Sequence, residues 1–152
     1  ISFNMVARNV QEFMNETFTF IRHSEGNSIP IHAWIERGRS LSNISIPPKL
    51  VWKPIYGFQS SLSSLELLDI CKVLATTPKR FDRKRYPFCI LNRMVTIQSV
   101  HNGTLLVEAR SNEERDRFAD LLKTTIATLA SRIFTHASID HFLEHVQKEA
   151  WV

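Results

Sequence analysis

Between Met94 and Arg132 the chain reads MVTIQSVHNGTLLVEARSNEERDRFADLLKTTIATLASR, which is strand, turn, strand, cap and amphipathic helix without a gap. Two hairpin registers are open to it. A two-residue Asn102-Gly103 loop pairs Val100 with Leu105 and sets Gln98 and Thr96 on the face of Val107 and Ala109. A three-residue loop, His101 to Gly103 with Gly103 in the left-handed region, instead gathers Val95, Ile97 and Ser99 with Leu105, Val107 and Ala109. The second makes one apolar face, with Glu108 and Arg110 turned to water, and is the register expected. Ser111 then caps a helix, and Glu114 three positions on completes a capping box. Phe118, Leu121, Leu122, Ile126, Leu129 and Ile133 form a stripe that must lie on a sheet or another helix.

With 152 residues and 43% hydrophobic content the chain can bury one good core. No run of about 18 apolar residues exists, so no spanning helix is expected, and the opening ISFNMVARNV reads as a cut from a longer chain rather than a secretory signal. Cys71 and Cys89 have no motif spacing and read as buried free thiols of a reducing compartment. The net charge of +4 is concentrated. Between Thr77 and Arg93 six cations, Lys79, Arg80, Arg83, Lys84, Arg85 and Arg93, face Asp82 alone, a local +5.

In chain order, Phe3 to Glu16 spaces Val6, Val10, Phe13 and Met14 as a short helix. Thr17 to His23 is a strand with Phe18, Phe20 and Arg22 on one face, and a turn at Ser24 to Ser28 leads into a second strand, Ile29 to Glu36. Gly38 to Ser45 is expected as a polar connection, and Pro47-Pro48 excludes helix and central strand. Lys49 to Lys53 is a third strand stopped by Pro54, and Tyr56 to Ser64 a loop. Leu65 to Leu74 fits strand or helix, and Ile70, Cys71 and Val73 favour strand. The long helix is expected to break at Phe134 to Ala137, with Ser138 capping a last short one. The division expected is an N-terminal helix (1–16), a main domain (17–134) and a helical extension (135–152).

A run of mainly antiparallel strands closed by one capped helix resembles the pleckstrin homology (PH) fold. SNEERDRF at Ser111 to Phe118 is similar to the start of that family's C-terminal helix, with Phe118 where the family prefers Trp. LVWK at Leu50 to Lys53 resembles its Trp-containing third strand, and SSLELLDICKV at Ser63 to Val73 a later strand with a hydrophobic-Asp-Ile-x-x-Val pattern. The long loop before MVTIQSV and the phrase TLLVEARS resemble most the PH domains at the front of phosphoinositide phospholipases C. The resemblance covers about Thr17 to Ile133. It implies an α+β, mainly β fold: a bent antiparallel barrel or sandwich capped by the C-terminal helix, with extra short helices at both ends. Family members that bind phosphoinositides carry a cation in the first strand and a basic-x-Arg pair in the second. Arg22 fills the first place, but the second strand offers His32-Ala33-Trp34, so that pocket is half built even if Lys53 in the third strand helps.

The loop cations Lys79, Arg80, Arg83, Lys84 and Arg85 stand among Phe81, Tyr86 and Phe88, and can lie on an anionic bilayer while the aromatics enter the interface. The resemblance adds Arg22 and Lys53 to these candidates. The same loop can contact an acidic protein or be merely solvated. No nucleic-acid motif accompanies it. His141 and His145 have metal-ligand spacing but lack the HExxH pattern, and with His101 and His136 they read as surface residues. No phosphate loop, nucleophile elbow or paired acid motif occurs, so neither catalysis nor a cofactor is expected. Trp34 and Trp52 read as core, and Trp151 as a docking residue or chain end. The functional expectation is a cytoplasmic, peripherally membrane-bound module that recognises a phosphoinositide or anionic phospholipid headgroup. The alternative is an adaptor that binds protein, such as a peptide added to a sheet edge beside the C-terminal helix.

Overall fold

The computed structural model describes residues 3–41, 44–57, 62–77 and 81–150. Helix α1 (Phe3–Met14) leads into a hairpin of β1 (Thr17–Ser24) and β2 (Asn27–Glu36), turned by Glu25-Gly26 with Gly26 at φ +75°. Strand β5 (Lys49–Pro54) pairs with β2 and runs one residue past the expected Lys53, Pro54 itself standing opposite Ile31. Further strands are β6 (Ser63–Glu66), β7 (Ile70–Leu74), β8 (Met94–Ser99) and β9 (Gly103–Glu108), followed by α2 (Asn112–Ala150). The seven strands form one antiparallel, unclosed sheet in the order β6-β5-β2-β1-β9-β8-β7. Its two halves join where Ile21, Arg22 and His23 of β1 meet Glu108, Val107 and Leu106 of β9.

The inner face of the curled sheet and one stripe of α2 make the core. Alternation delivers Phe18 and Phe20 from β1, Ile31, Ala33 and Ile35 from β2, and Leu50 and Trp52 from β5. Phe118, Ala119 and Leu122 close it from α2, and Phe13 joins from α1. Phe118 is its centre: its ring lies 4.7 Å from Phe20, 5.0 Å from Phe18 and 5.8 Å from Phe13. Such aromatic pairs contribute about 0.5–1.5 kcal/mol each beyond their buried area.

Several expectations are corrected. The β8–β9 hairpin closes on Ser99 and Gly103 around Val100–Asn102, a three-residue loop as expected but set one residue earlier, because the Ser99 hydroxyl accepts the His101 and Asn102 N–H groups. Val95 therefore faces Val107 rather than Ala109. Moving the partner by two positions leaves the faces unchanged, and Gly103 is left-handed at φ +75° as its place in the turn requires. Residues Gly38 to Ser45 are not only a connection: β3 (Arg39–Leu41) and β4 (Ile44–Ile46) pair as a separate ribbon. Gly38 is required beneath it, since a Cβ there would stand 2.8 Å from the Ile46 carbonyl oxygen.

The stretch Leu65 to Leu74 is strand at both ends but not one strand. A 3-10 turn at Leu67–Asp69 divides it, sending β6 to one edge of the sheet and β7 to the other. Ser111 does cap α2, its Oγ accepting the Glu114 N–H at 3.1 Å. The Glu114 carboxylate, however, turns to the Arg110 N–H and guanidinium, so the reciprocal half of the box is not made. Nor does the helix stop near Phe134. It runs on to Ala150, because Phe134 to Ala137 contains neither Gly nor Pro, and a lapse in apolar spacing leaves the backbone hydrogen bonds intact. Cys71 is exposed, while Cys89 is buried, and both are free.

Candidate functional site

The expectation most plainly overturned is that Glu108 faces water. It is 5% exposed, because the segment from Phe81 to Ile90 folds over the outer face of β1, β9 and β8. Met94, Leu106 and Cys89 form a second small core there, against which Phe81 and Tyr86 pack, their rings stacked at 5.2 Å. Inside it Glu108 Oε1 accepts the Ile90 N–H at 2.8 Å and lies 3.0 Å from His23 Nε2. With the carboxylate accepting at Nε2, the other ring nitrogen, Nδ1, is left to the Ser28 hydroxyl at 2.9 Å. One acid therefore ties the β1–β2 hairpin, β9 and the covering segment together. The Cys89 thiol donates to the Tyr86 carbonyl, and burial pushes its pKa up, with Arg83 opposing.

This anchoring determines what the segment presents. The Asp82 side chain accepts the Lys84 N–H at 2.9 Å, and its carbonyl accepts the Arg85 N–H, making a tight turn that lifts Arg83 and Lys84 into solvent. Arg85 bends back to Glu25 on the β1–β2 turn at 3.1 Å. Arg83 and Lys84 have no carboxylate partner among the described residues. Further along the same segment Phe88 is 81% exposed, with Ile90 and Leu91 also exposed. A firmly held loop thus shows two free cations and a bare aromatic ring.

The remaining candidates do not converge. Arg22 lies half-buried with its guanidinium 5.8 Å from the Trp52 ring centre, on the face of Phe18 and Phe20. Lys53 lies opposite His32 on the other face of the sheet, its ammonium 5.9 Å from the Trp34 ring. Strand alternation therefore separates the two cations, and each is already held over an indole. A crevice of about 380 Å³ beside Arg22 and Arg85 is also lined by Glu25 and Asp82, which oppose an incoming phosphate. Lys79, Arg80 and Trp151 lie outside the described residues, as do the side chains of Ile133, His136, His141 and His145. Trp52 is core, whereas Trp34 is half-buried on the outer face. The Trp52 indole N–H has no hydrogen-bond partner among the described residues. Among the described residues no group of three His, Cys, Asp or Glu could hold a metal, and no helix is long and apolar enough to cross a membrane.

The His23–Glu108 tie was missed although a signal for it exists. Leu105, Leu106 and Val107 are apolar in succession, as are Met94 and Val95, and strands that read so are covered on both faces.

No protein-family model matches the chain, and no curated protein does. Among solved structures it is similar to PLC21 of L. pealei, with TM-score 0.57 and 16% identity over 78% of this chain. The chain spans 16% of that protein's length. PLC21 of S. officinalis is similar to the same degree, with TM-score 0.57 and 15% identity over 79% of this chain and 16% of that one. Inner Membrane Complex Sub-compartment Protein 3 from Toxoplasma gondii has TM-score 0.52 and 13% identity, covering 84% of this chain and 87% of its own. These likenesses are of fold, and the fold is PH-like.

Proposed function

We propose that this chain is a non-catalytic PH-like targeting module that settles on an anionic membrane surface through the rim from Phe81 to Leu91. The observation that carries the reading is the exposure of Phe88, Arg83 and Lys84 together on one short segment that Glu108 and Cys89 fix to the sheet. A cation near a charged leaflet is worth about 1 kcal/mol, and an aromatic ring gains by entering the interface. Lys79 and Arg80 belong to the same basic stretch in sequence and add to its charge. The resemblance to phospholipase C PH domains extends the reading to phosphoinositides. The separation of Arg22 from Lys53 favours recognition of surface charge over a closed headgroup pocket. Peptide addition at the β7 edge is less favoured, since that edge is blunted by a register shift between Ile70 and Lys72 and by exposed Lys72.

The test is co-sedimentation with neutral, phosphatidylserine and individual phosphoinositide vesicles at low and raised salt. Binding is expected to every anionic vesicle, to weaken as salt rises, and to fall roughly thirtyfold when Arg83 and Lys84 both become Gln, about 1 kcal/mol each. Phe88→Ser should reduce it further and Arg22→Gln should not. Absence of binding to anionic vesicles at low salt would overturn the proposal in favour of a protein-binding adaptor. Dependence on Arg22 for a single phosphoinositide would replace the surface reading with a headgroup pocket.

A further inference from the structure

Far from that rim in sequence, α1 and α2 leave a trough of about 410 Å³ between them, floored by Gly38 and Pro48. Ala7, Val10 and Met14 line it from α1, a spacing of three and four that puts them on one helical face. Thr125, Thr128 and Leu129 line the opposite wall. That wall is effectively apolar, since the Thr125 and Thr128 hydroxyls donate to the carbonyls of Leu121 and Thr124, four residues back in their own helix. The charged groups of the lining are two guanidiniums, Arg37 and Arg132. Both are exposed, and neither has a carboxylate partner among the described residues, Arg37 donating only to the neutral Asn15 side chain.

An apolar trough of this volume with a few placed polar groups has the form of a small-molecule site, whose usual size is roughly 300–1,000 Å³. Two guanidiniums without counter-charge fix the sign of the occupant, and their planar forks suit a carboxylate. The geometry points to a binding site for a single-chain fatty carboxylate, its chain lying between Val10, Met14 and Leu129 and its head held by Arg37 or Arg132. The site stands apart from the proposed membrane rim and does not depend on it.

Calorimetric titration of the whole chain with dodecanoate below its micelle concentration tests the assignment, with dodecyltrimethylammonium as the control of opposite charge. One dodecanoate per chain is expected, with little binding of the cationic amphiphile. Arg37→Gln and Arg132→Gln together should weaken it by about tenfold or more, the scale of one lost charge-assisted hydrogen bond. Both positions are exposed, so the variant should fold. Thr128→Phe should fill the trough and abolish binding, with near-ultraviolet circular dichroism reporting whether the core is intact. Absent dodecanoate binding, indifference to the arginine pair, or equal binding of the cationic amphiphile would each overturn the proposal. A dimer in sedimentation that Thr128→Phe disperses would also overturn it, a second copy then being the occupant.

Discussion

The two faces of the sheet are covered by different means. On the inner face a helix lays an apolar stripe over alternating strand residues, and the contacts are rings and methyl groups around Phe118. On the outer face an irregular segment covers β8 and β9 and is held by a buried acid, a histidine and a backbone N–H. An apolar core tolerates trimming in proportion to the volume lost, whereas a polar tie fails when one partner goes, because the others are left buried and unsatisfied. The outer cover is therefore the part that can detach while the sheet persists.

Substitutions on each side can break that contrast. Phe118→Ala should cost the most, about 3–5 kcal/mol, and lower the stability of sheet and helix together in a single denaturant transition. Glu108→Gln keeps the shape but weakens the tie, and should cost about 1–3 kcal/mol. Its signature is local: thiol labelling of Cys89 should rise towards the rate of exposed Cys71 before the main transition. Burial raises the Cys89 pKa, so its stabilising contribution is complete below the ordinary thiol value and is lost as pH climbs through the higher folded value. The labelling gap should accordingly narrow in alkaline buffer. Ser111→Ala removes the α2 cap and should cost about 1 kcal/mol, leaving Cys89 protected. If Ser111→Ala exposed Cys89 as much as Glu108→Gln does, the two coverings would not be independent.

Legibility in the sequence follows the same divide. The inner core could be read because Phe18 and Phe20 alternate and the α2 stripe repeats with helical spacing, and both periods come from backbone geometry. The paired prolines and Pro54 marked their breaks for an equally local reason. Glu108 could not be placed by period, since whether an outward residue meets water depends on where a distant loop settles. The 3-10 turn within Leu65 to Leu74 escaped for a related reason: a local pattern gives strand character but not which neighbour each half will pair with. The candidate site was legible as charge and aromatic composition. Which cations stay free was not, because Glu25 captures Arg85 from another hairpin, and alternation sends Arg22 and Lys53 to opposite faces.

The turn at Leu67–Asp69 has a mechanical consequence. It joins the two outermost strands of an open sheet through three residues, so the margins that would ordinarily fray first are leashed to each other. Neither β6 nor β7 can peel far without dragging its counterpart, and the two should share one opening rate in amide hydrogen exchange. On the way to the folded state the leash acts in reverse. β6 reaches β5 by a short loop, whereas β7 must meet β8 some twenty residues on, so placing one strand limits where the other can go.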